Sequence, residues 1–132
     1  GEAFTRAVVQ SLGVEEKQAE EYKRAYGLSQ SQLEGKIKTA LEPVFRTVAD
    51  EMKKEIHFYQ SEEKGDKPRS ARLSGGSAGM PAVATVLAKM LGIEVIVGNS
   101  FSKITVDPAA VKSLAGFAQL YSIASGLALR EI

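Results

Sequence analysis

Gly75, Gly76 and Ser77 sit where a short extended stretch gives way to an apolar helical run, in the segment SARLSGGSAGMPAVATVLAKML at Ser70–Leu91. Two glycines without Cβ atoms let the backbone turn sharply and let a flat group approach it closely. Pro81 suits the first turn of a helix, since it lacks an N–H and its φ is preset. A helix beginning just past such a bend would aim free N–H groups and its positive dipole end at a ligand. The same residues satisfy G-x-S-x-G at Gly75–Gly79, which would make Ser77 a hydrolase nucleophile. That chemistry needs a base, and the only histidine, His57, lies upstream of the serine on a charged helical stretch. A tight strand-to-helix connection with no ligand is the plain alternative.

A second pair of residues lies far upstream. Glu20 and Lys23 in GVEEKQAEEYKRAYGL at Gly13–Leu28 stand three apart, so a carboxylate and an ammonium project from one helix face. An ordinary surface ion pair is the simple reading, contributing a few tenths of a kcal/mol.

The elements that must position these residues follow from periodicity. Phe4, Val8 and Leu12 form a stripe on a helix over Ala3–Leu12 that stops at Gly13. Glu15–Tyr26 reads as a second helix ending at Gly27, and Gly27–Glu34 as a polar loop. Ile37, Leu41, Val44, Phe45, Val48, Met52, Ile56 and Tyr59 fall on one face of a long helix, which Pro43 is expected to restart near Leu41. Ser61–Arg69 is a charged loop, whose Lys64, Lys67 and Arg69 with Arg72 could make a small basic patch. A helix over Met80–Leu91 leads to a buried strand at Ile93–Val97. Gly98–Pro108 is irregular, Asp107 and Pro108 cap and open a short helix, and a last helix covers Gly116–Arg130. The fold class is α/β, helix-rich with a few strands. Residues 1–69 form a helical subdomain and residues 70–132 an α/β portion carrying the Gly-Gly turn.

Composition narrows the function classes. With 132 residues and 44% apolar content, the chain has a usable core. Seventeen Lys and Arg against sixteen Asp and Glu, a formal charge of +1, is too balanced for binding nucleic acid or an acidic membrane by bulk charge. Absence of cysteine excludes disulfides and thiolate metal sites, and a single histidine argues against zinc. No apolar run approaches the roughly twenty residues of a membrane span.

Leu73–Pro81, LSGGSAGMP, resembles the adenosine motif of the actin-like ATPase superfamily, in which a glycine pair passes against the nucleoside. The E-x-x-K helix before it is similar to the one that FtsA and the DnaK chaperones use around adenine and ribose. The order of GEAFTRAVVQSLGV, AEEYKRAYGL, EIHFYQSE (with Phe58 and Tyr59), LGIEVIVGNSFSKI and SIASGLALREI (with Gly126 to Arg130) resembles the carboxy-terminal part of the PilM family of type IV pilus assembly.

That resemblance implies part of the second lobe of an actin-like, ribonuclease-H-like ATPase fold. It implies ATP as ligand, with Glu20, Lys23, Gly75, Gly76 and Ser77 on the adenosine side, and magnesium in an intact parent. It implies inner-membrane alignment proteins such as PilN and the assembly motor as partners, met mostly through parts outside this chain. The location implied is cytoplasmic, peripheral to the inner membrane through those partners. The Asp-x-Gly signatures that hold phosphates and magnesium in the superfamily are absent, since Asp50, Asp66 and Asp107 have unrelated followers. Family members carry Gly-Gly just before the E-A-F-T stretch, where this chain begins at Gly1. The expectation is therefore an excised fragment that recognises adenosine without hydrolysing ATP. A scaffold domain with no nucleotide role, an FtsA-like cell-division protein and, more distantly, a sugar or acid kinase are the alternatives. Tyr26, Phe58 and Phe101 belong either to the local core or to a contact with missing parts.

Overall fold

The structure is a computed structural model that describes residues 1–29, 35–62, 66 and 68–130. Three helices open it: α1 at Glu2–Leu12, α2 at Glu16–Tyr26 and α3 at Lys36–Glu62. A βαβ unit follows, with β1 at Ser70–Leu73, a 3-10 turn at Gly76–Gly79, α4 at Val83–Leu91 and β2 at Glu94–Val97. Two short helices, α5 at Pro108–Ala115 and α6 at Ser122–Ala128, flank a 3-10 turn at Ala118–Leu120.

The apolar stripes meet in one core. Phe4 and Val8 of α1 are buried against Ile37, Leu41 and Phe45 of α3, and the Phe4 and Phe45 rings stack at 4.5 Å. Val83, Leu87 and Leu91 of α4 and Val95 of β2 continue the same cluster. The two strands run parallel, Ser70 opposite Glu94 and Leu73 opposite Val97, with α4 as the crossover. Parallel neighbours need such a crossover, which explains why the helix lies between them in sequence. The helix-rich architecture with a few strands is as expected.

Several boundaries differ from the sequence expectation. Helix α3 runs unbroken through Pro43. Ile37, Leu41 and Phe45 share one face at four-residue spacing, and all three are buried. Pro43 points to solvent on the opposite side, so the bond it cannot make lies where water can reach the Thr39 carbonyl. Packing on the inner face outweighs the local cost of the proline.

Helix α4 starts at Val83 rather than Met80. The Pro81 carbonyl accepts from the Leu28 N–H at 3.0 Å, which holds the segment against the end of α2. Ala82 then takes a left-handed φ of 63° before the helix begins. The expected last helix is divided: Gly116 ends α5, and Phe117 to Tyr121 turn back in 3-10 bonds before α6. Strand β2 is only partly covered, since Val95 is buried while Ile96 and Val97 are exposed. Asp107 caps α5 as its residue type suggests, its side chain accepting from the Ala109 N–H at 2.8 Å. Most of the Gly27–Glu34 loop, and Lys64 and Lys67 of the basic patch, lie outside the described residues.

Candidate functional site

The glycine turn and the Glu20–Lys23 pair are more than 50 residues apart in sequence and are brought to one place by a close backbone fit. Gly27 ends α2 with φ 48° and ψ −127°. A Cβ there would stand 2.6 Å from the Pro81 carbonyl oxygen, a separation no side chain could tolerate. With glycine in place, the end of α2 lies directly on the segment that follows the turn, and the Leu28–Pro81 hydrogen bond fixes the contact. The last turn of α2 therefore faces the bend.

Between them is a cleft of about 390 Å³. Glu20, Lys23, Arg24, Gly76, Ser77, Gln119 and Leu120 are among its lining residues. That volume falls in the range of about 300–1,000 Å³ usual for small-molecule sites. Four of the five sequence-predicted residues line the cleft together: Glu20, Lys23, Gly76 and Ser77. Gly75 does not line it. It takes φ 91° and ψ 173°, a region open essentially to glycine alone, and its N–H donates to the Gln119 carbonyl at 2.8 Å. Gly75 thus ties the glycine turn to the segment carrying Gln119, while Gly76 forms part of the cleft surface.

The charged pair belongs to a network. The Lys23 ammonium donates to the Thr5 hydroxyl at 2.9 Å and to Glu20 Oε2. The Thr5 hydroxyl donates to the same Glu20 oxygen at 2.7 Å, and Arg24 Nε donates to Glu20 Oε1 at 2.9 Å. Burial alone would raise the Glu20 carboxyl. Hydrogen bonds from Lys23, Thr5 and Arg24, together with the Lys23 charge, outweigh it and hold the group at about 2. Glu20 is thus an ionised, acceptor-only group at neutral pH. Among the described residues its Oε1 accepts from Arg24 alone and has room for a second donor. Lys23 is only 5% exposed, so its ammonium mainly orients the carboxylate and its stem forms the wall.

Ser77 is half-buried, and His57, exposed on α3, is not among the residues lining this cleft. Among the described residues nothing here gives Ser77 a base, and the hydrolase reading has no support. No group of three or more His, Cys, Asp or Glu suited to a metal ion occurs among the described residues, and no helix there is long and apolar enough to cross a membrane.

Sequence reasoning missed Gln119. It is buried at 9% exposure, lines the cleft, and holds Gly75 through its main chain. Placed inside a presumed regular helix, it carried no signal of a turn. In the structure it lies against Gly79, where a Cβ would collide with the Gln119 amide nitrogen.

A helical layer on a βαβ unit, with a polar cleft beside the turn after the first strand, is the architecture of an actin-like second lobe. The family model for type IV pilus assembly protein PilM matches residues 1–132, and the chain belongs to that family. A solved structure described as a PilM-PilN type IV pilus biogenesis complex is similar at 28% identity with a TM-score of 0.82. The match covers 98% of this chain and 36% of that one, so the chain spans about a third of its length. No curated protein sequence matches significantly.

Proposed function

We propose that this chain supplies the adenosine side of a nucleotide cleft in a PilM-type protein of type IV pilus assembly. The observation carrying this reading is the shared cleft: Glu20 and Lys23 on one wall, Gly76 and Ser77 on the other. The fit is chemical as well as spatial. Ionised Glu20 accepts from ribose hydroxyls, the Lys23 stem lies along the base, and Gly76 leaves room for a flat ring. A Cβ at Gly76 would lie in ordinary contact with Leu120 Cδ2 at 3.4 Å and would narrow the cleft at that point. ATP is the ligand, and its phosphates and magnesium are assigned to segments beyond this chain. Hydrolysis is not assigned to these residues; their part is recognition. The pairing of PilM with PilN in the similar complex supports PilN as a partner. The assembly motor is assigned on the family resemblance, and contact with the inner membrane through such partners follows.

Titrating the intact protein with ATP tests the site. Lys23→Ala and Gly76→Val are each expected to weaken binding about tenfold, the loss of one charge-supported contact or of close approach. Unchanged affinity in both variants would leave a scaffold with a purely structural turn.

A further inference from the structure

We propose that Thr5 of α1 is a positioning residue of the cleft, its hydroxyl anchoring the Glu20 carboxylate where it accepts from the ribose hydroxyls of a nucleotide. This rests on the adenosine reading above.

Thr5 reaches the charged pair from a different element. Phe4 and Val8 bury α1 in the core, with the Phe4 ring stacked on Phe45, so the place of Thr5 is set independently of α2. Thr5 is 5% exposed and is not among the residues lining the cleft. It meets Glu20 and Lys23 from the α1 side, where the three share a separate open depression. A ligand in the cleft therefore senses Thr5 only through the pair. The Thr5 hydroxyl carries one hydrogen, with Glu20 Oε2 at 2.7 Å and the Gly1 carbonyl at 3.4 Å as acceptors in reach. The nearer, ionised oxygen takes it. The hydroxyl oxygen then accepts from the Lys23 ammonium at 2.9 Å, and Lys23 also donates to Glu20 Oε2, which closes a triangle.

Of the described donors to Glu20, Thr5 is the one that holds it still. Lys23 and Arg24 stand on the same helix as Glu20, and their long side chains lose the most rotamer freedom when ordered. The Arg24 side chain is 77% exposed, so solvent screens its bond. Thr5 is short, branched at Cβ, and turns about a single restricted torsion. It is also buried, where a hydrogen bond to a carboxylate is stronger than in water. Without the hydroxyl, Oε2 keeps Lys23 alone, and the buried ammonium loses its second acceptor at the same time. The pair is then free to shift together. Hydrogen bonds to ribose are directional, so a loosened acceptor weakens recognition of the sugar hydroxyls and leaves the rest of the nucleotide unaffected.

The test compares ATP with 2′,3′-dideoxy-ATP, which lacks both ribose hydroxyls, on the intact protein by equilibrium titration. The unmodified protein is expected to bind ATP about tenfold more tightly. In Thr5→Val, which keeps the shape and removes the hydroxyl, that preference is expected to fall to about twofold or less, with the dideoxy affinity unchanged. Thr5→Ser keeps the hydroxyl and is expected to restore most of the preference. Full preference in a folded Thr5→Val protein, its folding checked by a thermal melt, would overturn the proposal, as would a Thr5→Ser protein that behaves like Thr5→Val. An equal loss for both nucleotides would also overturn it, since α1 would then be structural support only. Equal affinity for the two nucleotides in the unmodified protein would remove the ribose contact of Glu20 and the proposal with it, leaving ATP binding standing. Absence of ATP binding would overturn the adenosine reading itself. Should Thr5→Val not fold, Thr5→Ala takes its place.

Discussion

Glu20 shows how a residue that looks like half of a surface ion pair becomes something else once its neighbours are known. Sequence spacing gives it Lys23, but not Thr5, which arrives from α1 and donates to the same oxygen as the lysine. Three donors on one carboxylate lower its protonation to about 2, against an ordinary value of 4.5. Because the folded-state value is depressed, the associated stability is complete above pH ~5 and is lost as pH falls toward about 2. With the carboxylate a third exposed, solvent screening reduces the contribution to about 1 kcal/mol. Glu20→Gln is expected to flatten the pH dependence of unfolding free energy between pH ~5 and ~2, measured by chemical denaturation. An undiminished slope in that variant would show that other groups carry the acid sensitivity. The pair itself was legible in the sequence; its depth was not, since nothing at a spacing of three residues predicts a threonine 15 positions away.

At the scale of elements, the decisive contact is the seat of Gly27 on Pro81. Gly27→Ala must place a Cβ within 2.6 Å of a backbone oxygen, at a φ that side chains rarely adopt. A loss of about 3 kcal/mol is expected, read as a fall in the denaturation midpoint. Gly13→Ala is the comparison, because open space surrounds that position and only the backbone penalty of about 1 kcal/mol applies. Similar losses in the two variants would mean that the docking of α2 on the turn is unimportant.

This scale is also where sequence reasoning is most uneven. Stripes such as Phe4 and Val8, or Ile37, Leu41 and Phe45, announce their helices because burial repeats with the helical period. Pro43 and Gly116 mislead in opposite directions. The proline is overridden by the packed face behind it, while the glycine ends a helix that local propensity would have carried on. Both outcomes depend on tertiary partners, the buried α1 face in one case and the Gly75–Gln119 bond in the other. The strand pair was visible as two extended runs, but not the exposure of Ile96 and Val97, which depends on what covers a sheet.

For the whole molecule, burial is distributed unequally. Helices α1, α3 and α4 share one continuous core, whereas α5 buries no residue and α6 buries only Ser125. Ile123 is 79% exposed, and Leu127 and Leu129 are exposed beside it. Elements with few buried contacts open at lower free energy than the core. Adding ATP is therefore expected to slow amide hydrogen exchange most over residues 108–128, with little change in α3. Protection spread evenly over the chain, or confined to α3, would contradict that distribution.

The Leu28–Pro81 hydrogen bond has a mechanical consequence. It fixes α2 and the segment after the glycine turn, two sides of the cleft, to one another, so an arriving molecule has little leverage there. The remaining side, carrying Phe117 to Leu120, is held to the glycine turn by the Gly75–Gln119 bond and by Gln119 and Leu120 lying against Gly79 and Gly76. Occupancy would thus be registered as a one-sided clamp, and the C-terminal helices would be the part that reports it.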